Sequence, residues 1–308
     1  MTQGHSSSQV PMGRSSRASR SQGRRRGDAC ATQLVGTASA GAACDFVGIS
    51  FNCGMSEALN KTELAEAGGK TRLFVTGDLG EGVAVTLDEG QAHYLLHVLR
   101  AKCGNRVALF NGRDGEWLAE IAQADKRGVT AKCLTQSVPQ HAAPDVWLAF
   151  APVKKTPSDY LVQKAAELGV SVLQPVFTRR TIVSRINEER MAANAVEAAE
   201  QSGRLSVPDI REAVSFDKLL ASWPKERRLL FCDEGGDAKA MTQAARESRG
   251  GPCAILTGPE GGFDPAERAA LRALPFVTPV TLGPRILRAD TAALAALAVW
   301  QSIAGDWV

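Results

Sequence analysis

Leu256-Thr-Gly-Pro-Glu-Gly-Gly-Phe263 and Leu282-Gly-Pro-Arg-Ile-Leu-Arg288 are two glycine- and proline-punctuated loops, each set between a short apolar run and a helix signal. The apolar runs, Cys253–Leu256 and Phe276–Leu282, read as buried parallel strands. Both loops therefore open at the carboxyl edge of one sheet, where α/β proteins bind ligands. Glycines 258, 261 and 262 permit positive φ and a close approach of backbone N–H groups. Asp264, Pro265 and Glu267 follow as N-cap, N1 proline and N3 glutamate of a helix. A structural turn and cap would account for the first loop alone. The second repeats the pattern, leading through Asp290 as N-cap into the Ala-rich helix 291–303, and it carries Arg285 and Arg288 between apolar residues. Two arginines at a sheet edge suggest an anionic partner.

Upstream of these loops the texture is strand–helix alternation, the pattern of a parallel α/β sheet. Val146–Phe150, Val172–Phe177 and Arg228–Cys232 are strands; Ser158–Leu168 closed by Gly169, Asn187–Gly203 and Phe216–Ala221 are helices. Glu197, Gln201 and Arg204 stand at i, i+4 and i+7, a face that either grips a polar ligand or is merely solvated. Lys154, Lys155, Lys164, Arg179, Arg180 and Arg185 add a basic bias suited to phosphates or to an ordinary surface.

Before the linker Pro139–Pro144 come short strands, Leu73–Val75, Val83–Leu87, Arg106–Phe110, Glu116–Ile121 and Val129–Leu134, the pattern of a small β-barrel. Asn111-Gly112 and Asp114-Gly115 are hairpin turn dipeptides. One helix, Gln91–Arg100, is expected among them, with Leu95, Leu96 and Leu99 on its apolar side. His93 and His97 have the i,i+4 spacing of metal ligands, but no third ligand accompanies them, so a surface pair is the better reading.

Residues 1–70 are rich in Ser, Gly, Ala and Arg and lack periodicity until about Ser56, so they read as a disordered extension. Their Arg- and Ser-rich start also fits a transit peptide or a basic nucleic-acid arm, or an upstream-extended translation start with Met55 as initiator. Six of the 36 Lys and Arg residues lie within 1–27, which leaves 30 basic against 33 acidic side chains in the remainder. The body is not globally basic, so nucleic acid would be held by a local patch. Seven cysteines without a C-x-x-C pair fit reduced thiols in the cytoplasm, and no apolar window is long enough to span a bilayer. The sequence has no Walker phosphate loop, no dinucleotide G-x-G-x-x-G after the first α/β strand, no G-x-S-x-G elbow and no H-E-x-x-H. Nucleotide hydrolysis, dinucleotide redox chemistry, serine hydrolysis and zinc proteolysis all lose support.

Four motifs in order, Gln163-Lys-Ala-Ala-Glu-Leu-Gly169, Glu197-Ala-Ala-Glu-Gln-Ser-Gly-Arg204 with Pro208, the first loop and the second loop with Thr291-Ala292, closely resemble the RsmE family. These are small-subunit ribosomal RNA methyltransferases that modify uridine N3, within the SPOUT superfamily. The resemblance spans 71–308. It implies a PUA-like RNA-binding β-barrel over 71–140 and a trefoil-knotted α/β methyltransferase domain over 145–308, forming a homodimer through the knot. It implies S-adenosylmethionine as cofactor, held by Cys232, Glu234, Thr257, Gly258, Pro259, Glu260, Gly261, Gly262, Leu282, Gly283, Ile286, Leu287 and Ala292. Arg288 and Arg285 become the catalytic candidates, and Arg72, Arg100, Lys154, Lys164, Glu197, Gln201 and Arg204 the RNA contacts, with no metal and no membrane. The partner would be ribosomal RNA or the small ribosomal subunit. The family usually carries glutamate where this chain has Asp290, one methylene shorter, and its core has no counterpart of residues 1–70. Two rival readings are 2′-O-ribose methylation on the same fold and a non-catalytic RNA-binding or ribosome-assembly factor.

Overall fold

The structure, a computed structural model, describes residues 71–125, 127–153, 155–233 and 237–307. The extension expected over 1–70, Met55 with it, lies outside the described residues, as do Lys154 and Glu234.

β1 (Arg72–Phe74), β2 (Ala84–Thr86), β3 (Arg106–Phe110), β4 (Glu116–Asp125) and β5 (Gly128–Val138) form a sheet in the order β1-β3-β4-β5-β2. β1 runs parallel to β3, and the other neighbours are antiparallel. Alternate residues Val107, Leu109, Ala119, Ile121, Val129, Ala131 and Cys133 point into one apolar core. β4 and β5 extend beyond their expected ends because the hairpin leaves that core: Ala122, Gln123 and Asp125 are exposed, so no apolar alternation marks them.

The single expected helix is two pieces. Asp88 caps α1 (Glu89–His93) through a capping box with Gln91, starting it earlier, and one π-helical turn, Tyr94–Val98, follows. Its wider turn keeps Leu95 buried but leaves Leu99 43% exposed, against the expectation that both face inward. Arg100 lies beyond the helix in the left-handed region (φ 53°), where the Ala101 N–H donates back to the Leu95 carbonyl.

The rest of the chain is β6 (Val146–Phe150), α2 (Lys155–Glu167), β7 (Val172–Phe177), α3 (Glu188–Ser202), β8 (Asp209–Ile210), β9 (Val214–Ser215), α4 (Phe216–Ala221), β10 (Arg228–Cys232), β11 (Lys239–Ala240), α5 (Met241–Glu247), β12 (Cys253–Thr257), α6 (Pro265–Arg272), β13 (Val277–Thr281) and α7 (Ala289–Ala304). The strands pair in parallel in the order β11-β13-β10-β12-β6-β7-β8, with β9 also on β7. Val146, Leu148, Phe150, Leu230 and Ile255 share a core with residues of α2, α3, α5 and α7. Their neighbours Ala149, Leu229, Phe231, Ala254 and Leu256 pack with residues of α4 and α6. The period of two thus covers the sheet on both faces, which is why its strands read as continuous apolar runs.

The caps at Asn187, Asp264 and Gly203 stand where the sequence puts them. The cap at Asp290 does not. α7 begins at Ala289 with Arg288 as N-cap, and Asp290, already in the first turn, accepts from the Thr291 N–H. Helix α2 starts three residues before Ser158 because Pro157, in its first turn, has no N–H that a helix needs there.

Candidate functional site

β13, β10 and β12 are adjacent, and their registers bring the carboxyl ends at Thr281, Cys232 and Thr257 to one edge. From β10 the chain goes to β11 on one side, crosses to β12 on the other and returns to β13 beside β10, so the winding reverses at this edge, a topological switch point. The loops after the three strands enclose a cleft of about 710 Å³. Every cofactor residue expected from sequence lines it except Glu234, which lies outside the described residues. Arg285 and Arg288 line it too.

The local chemistry explains the shape. Gly262 (φ 67°) and Gly283 (φ 107°) take conformations that disfavour a side chain, and the Gly262 N–H closes a turn onto the Pro259 carbonyl. Gly258 is needed for a different reason: a β-carbon there would stand 2.7 Å from the Phe263 ring. That ring packs edge-on against Phe231 at 5.0 Å, forming an apolar wall. Burial pushes the Cys232 thiol up to about 12, so it presents a neutral group to the cleft. In the second loop, the backbone N–H groups of Arg285, Ile286, Leu287 and Arg288 donate to no described residue.

Several lining residues were not singled out as site residues by sequence. Asp233, 7% exposed, follows β10 and accepts from Arg268 Nε and Arg272 Nε, both at 2.7 Å. Arg272 also binds Asp237, which holds that carboxyl down at about 2. The i,i+4 spacing of Arg268 and Arg272 was the available signal, but their acid lies on another strand end. Arg180 donates to the Gly261 carbonyl at 3.0 Å, and its neighbour Arg179 pairs with Asp264 and donates its N–H to buried Glu267. Two adjacent arginines thus brace the first loop from outside.

Of the expected RNA residues, Arg72 and Arg204 have their guanidiniums turned onto protein groups. Arg204 lies beyond the C-cap Gly203, where helical spacing no longer applies, and turns inward to donate to the carbonyls of Ala166 and Val170. Burial lowers its pKa to about 10. Arg72 donates from Nε to Glu116 at 2.6 Å and from its terminal nitrogens to the carbonyls of Ala199, Glu200 and Arg204. Neither guanidinium is free for phosphate. Glu197, Gln201 and Arg100 are exposed, and Lys164 pairs with Glu167. The rings of His93 and His97 are 4.7 Å apart, and among the described residues no group of three or more potential metal ligands exists. Among them, too, no helix is long and apolar enough to cross a membrane.

A family model described as an RNA methyltransferase domain matches residues 140–301, and one described as an RNA methyltransferase PUA domain matches residues 87–134. The ribosomal RNA small subunit methyltransferase E of Rickettsia conorii is 30% identical over 229 residues, covering 74% of this chain and 93% of the relative. Its namesake from Synechocystis is 32% identical over 232 residues, covering 74% and 76%. Among solved structures, a ribosomal RNA small subunit methyltransferase E from Neisseria gonorrhoeae bound to S-adenosyl methionine superposes with a TM-score of 0.71 at 29% identity, covering 77% of this chain and 99% of that one. The resemblance carried by the four motifs is borne out. With the first model spanning more than half of the sequence and the relatives matched over most of their length, the chain belongs to the ribosomal RNA small subunit methyltransferase E family of RNA methyltransferases.

Proposed function

We propose that the chain transfers a methyl group from S-adenosylmethionine to N3 of a uridine in 16S ribosomal RNA. The observation that carries this reading is the cleft itself: three loops from adjacent parallel strand ends, two glycine-shaped, with two arginines on the wall. Its residues fit the cofactor. Phe231, Phe263, Val280 and Leu282 supply apolar surface for a base and a thioether chain, and the N–H groups of residues 285–288, which donate to no described residue, supply donors for adenine and ribose acceptors. Gly258 lets the Phe263 ring lie close against the first loop as part of that apolar wall. The family relative solved with S-adenosyl methionine supports the same assignment.

When bound, the cofactor supplies an electrophilic methyl on a sulfonium, so no metal is required, and the chain must align acceptor and donor. Arg288 and Arg285 stabilise the negative charge that spreads over the uracil carbonyls as N3 loses its proton. Both carboxylate oxygens of Asp233 are engaged by Arg268 and Arg272, which leaves Glu260, exposed at the cleft, or water to take the proton. Asp290 is not among the cleft residues, and its carboxylate turns to its own helix. In Arg288→Ala, methyl transfer should fall by about 100-fold while cofactor binding, measured by calorimetry, stays as in the wild type. Wild-type turnover would remove this role, and lost binding would make Arg288 a cofactor ligand. Mapping the methylated nucleoside by mass separates a base methyl from a ribose methyl.

The same reading assigns residues 71–140 to a PUA-like barrel that holds RNA and residues 145–308 to a knotted methyltransferase domain that pairs as a homodimer in the cytoplasm. Insertion of the last strand, β13, between β10 and β11 supports the knot. Of the RNA contacts expected from sequence, exposed Arg100, Glu197 and Gln201, with Lys164 and Lys154, stay in the proposal.

A further inference from the structure

We propose that Arg72 is a positioning residue that fixes the RNA-holding sheet against the methyl-transfer domain, an inference that rests on the methyltransferase reading above. Its guanidinium sits between the two layers. Nε binds the Glu116 carboxylate of β4 at 2.6 Å, and the ion pair is shielded, with side chains 13% and 14% exposed. The terminal nitrogens donate at 2.8–2.9 Å to the carbonyls of Ala199, Glu200 and Arg204, at and beyond the end of α3. A cation there meets carbonyls that lack helical partners, at the negative end of the helix dipole. The carbon of the guanidinium lies 4.4 Å from the centre of the Phe110 ring on β3.

The clasp is two-sided. Glu200, on α3, accepts from the Phe74 N–H of β1 at 2.9 Å, and Gln91 holds the Phe74 carbonyl. On the sheet side, Ser137 of β5 donates to Glu116. On the other side, Met191 and Ala195 of α3 share a core with Ala293, Ala296 and Leu297 of α7, the helix that starts directly after Arg288. A continuous run of packed and hydrogen-bonded groups therefore joins β1 to the helix behind the second loop. Arg72 uses all three of its nitrogens on protein acceptors, which separates it from a phosphate contact.

The test compares Arg72→Ala, Arg72→Lys and Glu116→Gln in the full chain for transfer to ribosomal RNA, RNA affinity against salt, and cofactor affinity. A displacement of about 1 Å between donor and acceptor costs on the order of 100-fold in rate. The expected result is a kcat loss of that order in both arginine variants and a smaller loss in Glu116→Gln. Cofactor affinity and the salt slope of RNA binding should stay unchanged, and the losses at 72 and 116 should not add. A lysine that restores turnover, or a salt slope reduced by about 0.7–0.9 in Arg72→Ala, would overturn the proposal in favour of a direct phosphate contact. Hydrogen exchange over 72–75 and 199–205 supplies a readout without activity. Faster exchange in both segments of Arg72→Lys supports the clasp, and unchanged exchange sinks it. If the wild type transfers no methyl group, the methyltransferase reading fails while the exchange arm still decides the clasp. Arg72→Lys and Glu116→Gln serve where Arg72→Ala does not fold.

Discussion

Gly258 shows how little room the cleft wall leaves. An alanine β-carbon there would meet the Phe263 ring at 2.7 Å and 2.8 Å, and Phe263 is itself packed on Phe231 and Phe216. Gly258→Ala should destabilise the fold by about 1–3 kcal/mol and weaken cofactor binding; calorimetry and thermal melting check both, and unchanged affinity would show that the ring yields freely. Glu200 tests the neighbouring layer through pH. Burial raises its carboxyl above the ordinary 4.5, only partly offset by the Phe74 N–H and Arg72, so the folded state binds its proton more tightly than the unfolded chain. Stability linked to this group is therefore greatest below about pH 4.5 and falls as pH rises through the raised folded value. Glu200→Gln, which keeps an oxygen for Phe74, should raise the melting temperature at pH 7 and lose that advantage in acid. The glycines of the cleft were legible because their reason is local: a φ angle, or a ring five residues away. Arg72 and Arg204 were not, because what a guanidinium binds is decided by carbonyls more than a hundred residues off in one case and by the end of a helix in the other.

At the scale of elements, α7 is anchored at its far end by Gln301, fully buried, which donates to the Leu168 carbonyl at 2.6 Å and accepts from the Asp306 N–H. Gly169 and Gly305 leave space for this amide, since a β-carbon at either position would collide with it. Gln301→Ala strands the ends of two helices and should cost roughly 2 kcal/mol, read from denaturant midpoints; a loss below a few tenths would mean that water replaces the amide without penalty. The longer helices and strands across 146–304 were legible from period and caps, down to Phe216–Ala221 residue for residue, whereas the two-residue strands β8, β9 and β11 are too short to carry a period and were not. The π-helical turn was not. In the sequence Leu95, Leu96 and Leu99 stand at α-helical spacing, and only the exposure of Leu99 and the left-handed Arg100 reveal the wider turn. Asp290 misled because an acid before an Ala-rich run reads as a cap one or two residues too late.

For the whole molecule, strand order was the least legible property: nothing in the composition of β13 says that it belongs between β10 and β11, and only the family resemblance anticipated an unusual path. The order has an experimental edge. A chain ending after Arg272 lacks both β13 and α7, leaving Leu229, Leu230 and Phe231 without one hydrogen-bonded neighbour and much of the first core without its helix. Such a truncation should show no cooperative unfolding transition in calorimetry; a sharp transition would mean that the earlier strands make a stable sheet on their own. The position of β13 also sets a schedule for synthesis. Because the strand that fills the gap emerges from the ribosome after every other strand of its sheet, the nascent chain must keep β10 and β11 apart, with open backbone edges, until the last strand arrives. An enzyme that modifies ribosomal RNA is thus one whose own sheet can close only after the last of its strands has left the ribosome.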